Sequence, residues 1–161
     1  MIYKVLKISK VQVYLTAVVA IAVTSCRNST VDPRLKAFSD YLHSTFQRKL
    51  PDDIHYWFLV PSSGCMGCSA FTADEYHSLP SRVQLSHVTL LIATPTTIRV
   101  DSVLVSRSVF LDGTGGLDRL AVCAAGASVM ITKGNRIMDL FYVENNERRV
   151  QEISHQLTQS Q

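Results

Sequence analysis

Apolar residues fall into blocks whose spacing changes along the chain, and the spacing predicts the elements. From Pro33 to Leu50 the residues Leu35, Phe38, Tyr41, Leu42 and Phe46 recur at steps of three and four, lining one face of an amphipathic helix. Asp32 can cap its start with Pro33 at the first helical position, and Pro51 follows its end. Ile54 to Val60 is instead a largely apolar and aromatic run bounded by Asp52-Asp53 and Pro61. It is too short for a helix and rich in strand formers, so it predicts a central strand buried on both faces. Ser69 to Leu79 reads as a helix with Phe71, Tyr76 and Leu79 turned inward and Pro80 stopping it, and Val88 to Ala93 as a second buried strand. Strand, helix, strand in that order predicts a βαβ unit with parallel strands and the helix on one face.

Beyond Ala93 the pattern weakens. Between Thr94 and Asp112 the residues Val100, Val103, Leu104, Val105, Val109, Phe110 and Leu111 fit either a short helix followed by a strand or strands alone. Asp112-Gly113-Thr114-Gly115-Gly116 is a turn or loop, without the following Lys-Ser/Thr or the glycine spacing that a phosphate cradle needs. Leu117 to Val122 reads as a short helix leading to Cys123. Ala127 to Ile131 and Arg136 to Val143 flank Thr132-Lys133-Gly134-Asn135 and predict a β-hairpin. Asn145 or Asn146 can cap a final helix with Val150, Ile153 and Leu157 on its apolar face, and Thr158 to Gln161 is a frayed tail. The sequence of elements belongs to the α/β class.

The first residues follow a different logic. Lys4, Lys7 and Lys10 precede an apolar run from Val11 to Val23, interrupted only by Gln12 and Thr16 and followed by Thr24-Ser25-Cys26. The run is shorter than the roughly 18–20 residues that span a bilayer, and its charged, apolar, small order is that of an export signal. Val23-Thr24-Ser25-Cys26 resembles the lipobox of bacterial lipoproteins, in which the cysteine becomes the lipidated N-terminus. The expected organisation is a signal peptide over 1–25, a tether over 26–31 and a folded domain over 32–158. Lipid on Cys26 would hold that domain at a membrane surface of the cell envelope, facing the periplasm or the exterior.

Composition then adjusts the picture. With 161 residues, 47% of them hydrophobic, the chain can build one core. The formal charge of +3 belongs to the signal, because without its three lysines the basic residues match the 13 acidic ones. A near-neutral mature chain gives no reason to expect nucleic acid as a partner.

The chemistry lies in the cysteines. Export permits disulfides, and with Cys26 committed to lipid, Cys65, Cys68 and Cys123 remain. Cys65 and Cys68 have C-x-x-C spacing after the buried strand and the sharp turn Pro61–Gly64, where a helix opens. A thiol at a helix N-terminus meets unpaired backbone N–H groups and the positive end of the dipole, both of which favour thiolate. A second thiol one turn on can resolve a mixed disulfide formed by the first. The competing readings are a structural disulfide and a metal site. Haem attachment is excluded because Ser69, and not histidine, follows Cys68. A structural zinc site wants four ligands, for which only Cys123 and the dispersed His55, His77 and His87 are available. No metal and no cofactor is assigned. Cys123 reads first as a small buried apolar residue, and second as an accessory thiol.

Strand, C-x-x-C, helix, strand, middle stretch, hairpin and terminal helix, from Ile54 to Leu157, together resemble the thioredoxin-like superfamily. More narrowly the chain is similar to small exported thioredoxin-like lipoproteins with a Gly-Cys-x-Gly-Cys turn, here Gly64-Cys65-Met66-Gly67-Cys68. The resemblance implies a three-layer sandwich, a central mixed sheet with a C-terminal hairpin and helix. It implies that Cys65 is the exposed attacking thiol and Cys68 the buried resolving one. It places Gly126 or Ala127 where the family has a cis-proline facing the disulfide, and Leu59 where thioredoxins proper carry a buried acid. The expected activity is thiol–disulfide exchange with cysteine-containing envelope proteins. The alternative is a non-catalytic binding module whose cysteines form a staple or a soft-metal site.

Overall fold

Strand β1 (Ile54–Val60) is the middle of a five-stranded sheet of order β3-β2-β1-β4-β5. The structure is a computed structural model and describes residues 31–93 and 108–159; the expected signal peptide, the expected lipidation site Cys26, nearly all of the expected tether and most of the stretch after Thr94 lie outside the described residues. On one side β1 pairs in parallel with β2 (Val88–Ala93), and β2 in parallel with β3 (Val109–Asp112). On the other side it pairs antiparallel with β4 (Ser128–Lys133), which continues through a two-residue turn into β5 (Arg136–Tyr142). The fold is mixed α/β, with four α-helices among the described residues: α1 (Pro33–Phe46), α2 (Met66–Ser78), α3 (Ser81–Ser86) and α4 (Glu147–Gln159).

Why β1 is largely apolar follows from its position. Phe58 and Val60 project into a core formed with α2, α3 and α4, where Tyr76, Val83, Val150, Ile153 and Leu157 meet Leu90, Ile92 and Val129. Trp57 and Leu59, at the alternate positions, project to the other face against Phe38, Tyr41 and Leu42 of α1 and Leu117, Leu120 and Val122. A strand covered on both sides has no polar face to show.

Several boundaries depart from the sequence-based expectation. Helix α1 stops at Phe46 and not near Leu50, because Gln47 turns into the left-handed region at φ 55°, with its N–H bonded to the His43 carbonyl at 3.1 Å. Asp32 caps α1 as expected, accepting from the Arg34 N–H at 2.8 Å. Helix α2 begins at Met66, three residues before the expected start. Pro80 ends that pattern but also opens α3, six residues too short to show a period. The segment after Gly116 forms two 3-10 turns, Leu117–Arg119 and Ala121–Cys123, in place of one short helix. Strand β4 runs on to Lys133, two residues closer to the turn than expected, whereas β5 starts at Arg136 as expected; the pairing has an irregularity in register between Ile131 and Thr132. The final helix continues through Gln159, so Thr158 is helical and bonds the Ser154 carbonyl at 2.9 Å.

The glycine-rich loop after β3 is organised by Asp112. Its buried carboxylate accepts from the Thr114 N–H at 2.7 Å, the Thr114 hydroxyl at 2.6 Å and the Leu117 N–H at 2.6 Å. Burial opposes the charge, but these donors outweigh it and hold the carboxyl below the usual carboxylate range. The Thr114 and Leu117 N–H groups of this loop are therefore taken by a side chain of the protein itself. A Cβ on Gly116 would stand 2.7 Å from the Tyr41 ring, so α1 can lie over this loop only with glycine there.

Candidate functional site

Beyond the C-terminal end of β1 the chain turns through Pro61, Ser62, Ser63 and Gly64 before α2 starts. Asp118, in the first 3-10 turn, fastens this loop: one carboxylate oxygen accepts from the Ser62 N–H at 2.7 Å and the other from the Ser62 hydroxyl at 2.7 Å. Gly64 follows with φ 118°, a value that glycine adopts at little cost, and it lies against Gly126, whose φ is 109°. The loop carrying Gly126 is closed by its N–H bonding the Cys123 carbonyl at 3.0 Å. Gly126 therefore lies beside the turn that carries Cys65.

Cys65 occupies the N-cap of α2 with extended backbone, and its sulfur accepts from the Cys68 N–H at 3.3 Å. Sulfur thus does what a serine or aspartate oxygen does at other helix starts. This explains why α2 begins at Met66, since the cap is the cysteine itself. Cys65 is exposed, whereas Cys68, one turn on, is 5% exposed and belongs to the core with Phe58, Val60 and Tyr76. Both are free thiols.

The two sulfurs are pushed in opposite directions. A hydrogen bond from the Cys68 side chain, with the N–H groups of Cys68 and Gly67, holds the Cys65 thiol below its ordinary value of 9.0. The same hydrogen bond, then burial and then the Cys65 charge push Cys68 up to about 11. When the pair gives up its first proton, the charge is favoured on the outer sulfur and the hydrogen stays with the inner one. Glu144 opposes thiolate at both sulfurs, and Glu147 opposes it at Cys68. Chemically the arrangement offers an accessible sulfur favoured as the nucleophile and, one helical turn behind it, a second thiol that can attack the same sulfur once it has lost its proton.

The remaining candidates are elsewhere. Cys123 is 2% exposed and packs on the α1 side of the sheet, the face opposite Cys68, with burial pushing its thiol up to about 12. His77 is half-buried on α2 beside Tyr76, with ring centroids 5.4 Å apart. His55 is buried at the opposite end of β1, its Nε2 2.9 Å from the Thr89 hydroxyl. Among the described residues no group of three or more histidine, cysteine or acidic side chains is placed to hold a metal ion. Asp118 and Glu144 are the site residues that the sequence did not single out. Asp118 stands 56 positions from the serine it holds, and no local pattern marks such a pair. No family model, no curated protein and no solved structure matches this chain.

Proposed function

We propose that the chain is a membrane-anchored, thioredoxin-like thiol–disulfide oxidoreductase that exchanges electrons with cysteines of envelope proteins through Cys65 and Cys68. The observation that carries the reading is the division between the two sulfurs: one exposed, at a helix N-terminus and favoured as thiolate, the other buried behind it and held protonated. The sheet order adds support, because β2, β1, β4 and β5 follow one another across the sheet as two parallel strands and an antiparallel hairpin. The lipobox-like Val23-Thr24-Ser25-Cys26 supplies the anchor in this reading.

In the reducing direction the Cys65 thiolate attacks one sulfur of a client disulfide, forming a mixed disulfide and expelling the other client sulfur as a thiolate, which takes up a proton. Cys68 then loses its proton and attacks the Cys65 sulfur. The second client thiolate leaves, the Cys65–Cys68 disulfide forms, and two electrons have passed to the client; oxidation of a client dithiol is the reverse. The test is trapping. Cys68→Ser should accumulate mixed disulfides that reductant releases, and Cys65→Ser should accumulate none. An absence of both trapped partners and exchange by the unaltered protein would remove the proposal.

A further inference from the structure

A second concavity lies at the other end of the sheet. It is a cleft of about 170 Å³ between the segment that follows α1 and the first residues of the parallel strands, lined by Arg48, Lys49, His55, Trp57, Thr89 and Phe110 among others. Strand β1 has seven residues, so at about 3.3 Å per residue the His55 end lies roughly 20 Å from the cysteine turn. The two sites are therefore separate.

Its walls combine three properties. The sides are apolar and aromatic, with the Phe110 ring 5.1 Å from that of Phe46 and Trp57 held in place by its indole N–H donating to the Thr132 hydroxyl at 3.0 Å. The floor is polar and uncharged, formed by the buried His55 with its Nε2 paired to the Thr89 hydroxyl. The rim is cationic: Arg48 and Lys49 both line the cleft, no carboxylate does, and neither forms an ion pair among the described residues. Arg48 lies over the Phe110 ring at 5.6 Å, which presents its planar guanidinium beside the aromatic wall. Adjacent cations without a counter-charge favour an anion, and a guanidinium can grip a carboxylate with two parallel hydrogen bonds.

We propose that this cleft binds a small organic carboxylate with a flat apolar body, the charge held by Arg48 and Lys49 and the body resting against Trp57 and Phe110. The volume limits the ligand to about the size of a single substituted ring, below the range of drug-sized sites.

Trp57 is the chain's single tryptophan, so its emission reports on the cleft directly. Titration of the full chain with benzoate should give a saturable change, with benzylamine, the cationic counterpart, giving none. Arg48→Glu/Lys49→Glu should weaken benzoate at least tenfold while Cys65→Ser leaves it unaltered. Arg48→Gln/Lys49→Gln gives a second, milder arm should the charge reversal disturb folding. A linear, purely collisional response, an equal response to benzylamine, or an unaltered benzoate midpoint in the folded double variants would overturn the proposal.

Discussion

Gly64 and Gly126 approach so closely that a Cβ added to Gly64 would stand 3.1 Å from the Gly126 Cα. Both hold positive φ, so the turn that presents Cys65 and the loop opposite it are fitted together through two residues without side chains. This contact sets how far the cysteine turn stands from the start of β4.

The first prediction follows from the asymmetry of that contact. Gly64→Ala meets both backbone strain and the Gly126 Cα, and it should lower stability by about 2–3 kcal/mol. A Cβ on Gly126 would stand 4.0 Å from the Gly64 Cα, an ordinary contact, so Gly126→Ala should cost about 1–2 kcal/mol from the left-handed φ alone. Urea denaturation of the two variants measures the order, and equal losses would show that the close approach contributes nothing.

Asp118 restrains the same turn from below. Asp118→Ala removes two hydrogen bonds to Ser62 that are open to solvent, and should cost about 1 kcal/mol. Ser62→Ala removes only the hydroxyl bond and should cost about half as much. Hydrogen exchange at the Ser62 amide should accelerate in Asp118→Ala and not in Ser62→Ala.

The thiols give a pH prediction. Alkylation of Cys65 should rise with pH through a midpoint below 9.0, and Cys68, where it can be reached, should follow only near pH 11. Stability responds with opposite signs. Cys65, whose folded pKa is depressed, stabilises above its unfolded value, and this contribution is lost as pH falls through the folded one. Cys68, whose folded pKa is raised, stabilises below about pH 9, and its contribution is lost as pH rises toward 11. Rates of iodoacetamide labelling with peptide mapping give the order in which the two thiols ionise, and denaturation curves of the unaltered protein, Cys65→Ala and Cys68→Ala compared across pH 7–11 check the net sign of the pair's contribution.

His55 makes the fold sensitive to acid. Burial, with a smaller contribution from His87, holds its pKa at about 4 against the ordinary 6.5. The unfolded chain binds the proton first, so stability from this group is present above pH 6.5 and lost as pH falls to 4. His55→Gln should therefore flatten the loss of stability between pH 6.5 and 4 relative to the unaltered protein, as read by urea denaturation at each pH.

Much of this architecture is visible in the order of residues, and the parts that are not have definable reasons. Strand β1 runs over Ile54–Val60 as its largely apolar and aromatic pattern suggested, because a strand covered on both faces leaves few polar positions. The start of α2 at the C-x-x-C is legible from the sharp turn before it, but the apolar pattern alone placed its first residue at Ser69, because periodicity does not show that the Cys65 sulfur caps the helix. The end of α1 is hidden because Gln47 adopts a conformation its side chain does not favour. Helix α3 is too brief for periodicity to show.

The chain by itself determined the buried strand, the spacing that sets two sulfurs one turn apart, and the hairpin that closes the sheet. These follow from dihedral preference and hydrophobic period, which act over a few neighbouring residues. Tertiary structure alone decided that Asp118 grips Ser62, that Gly64 meets Gly126 and that Cys123 lies across the sheet from Cys68. Those relationships arise when the sheet brings distant segments together, and proximity of that kind leaves no trace in local order.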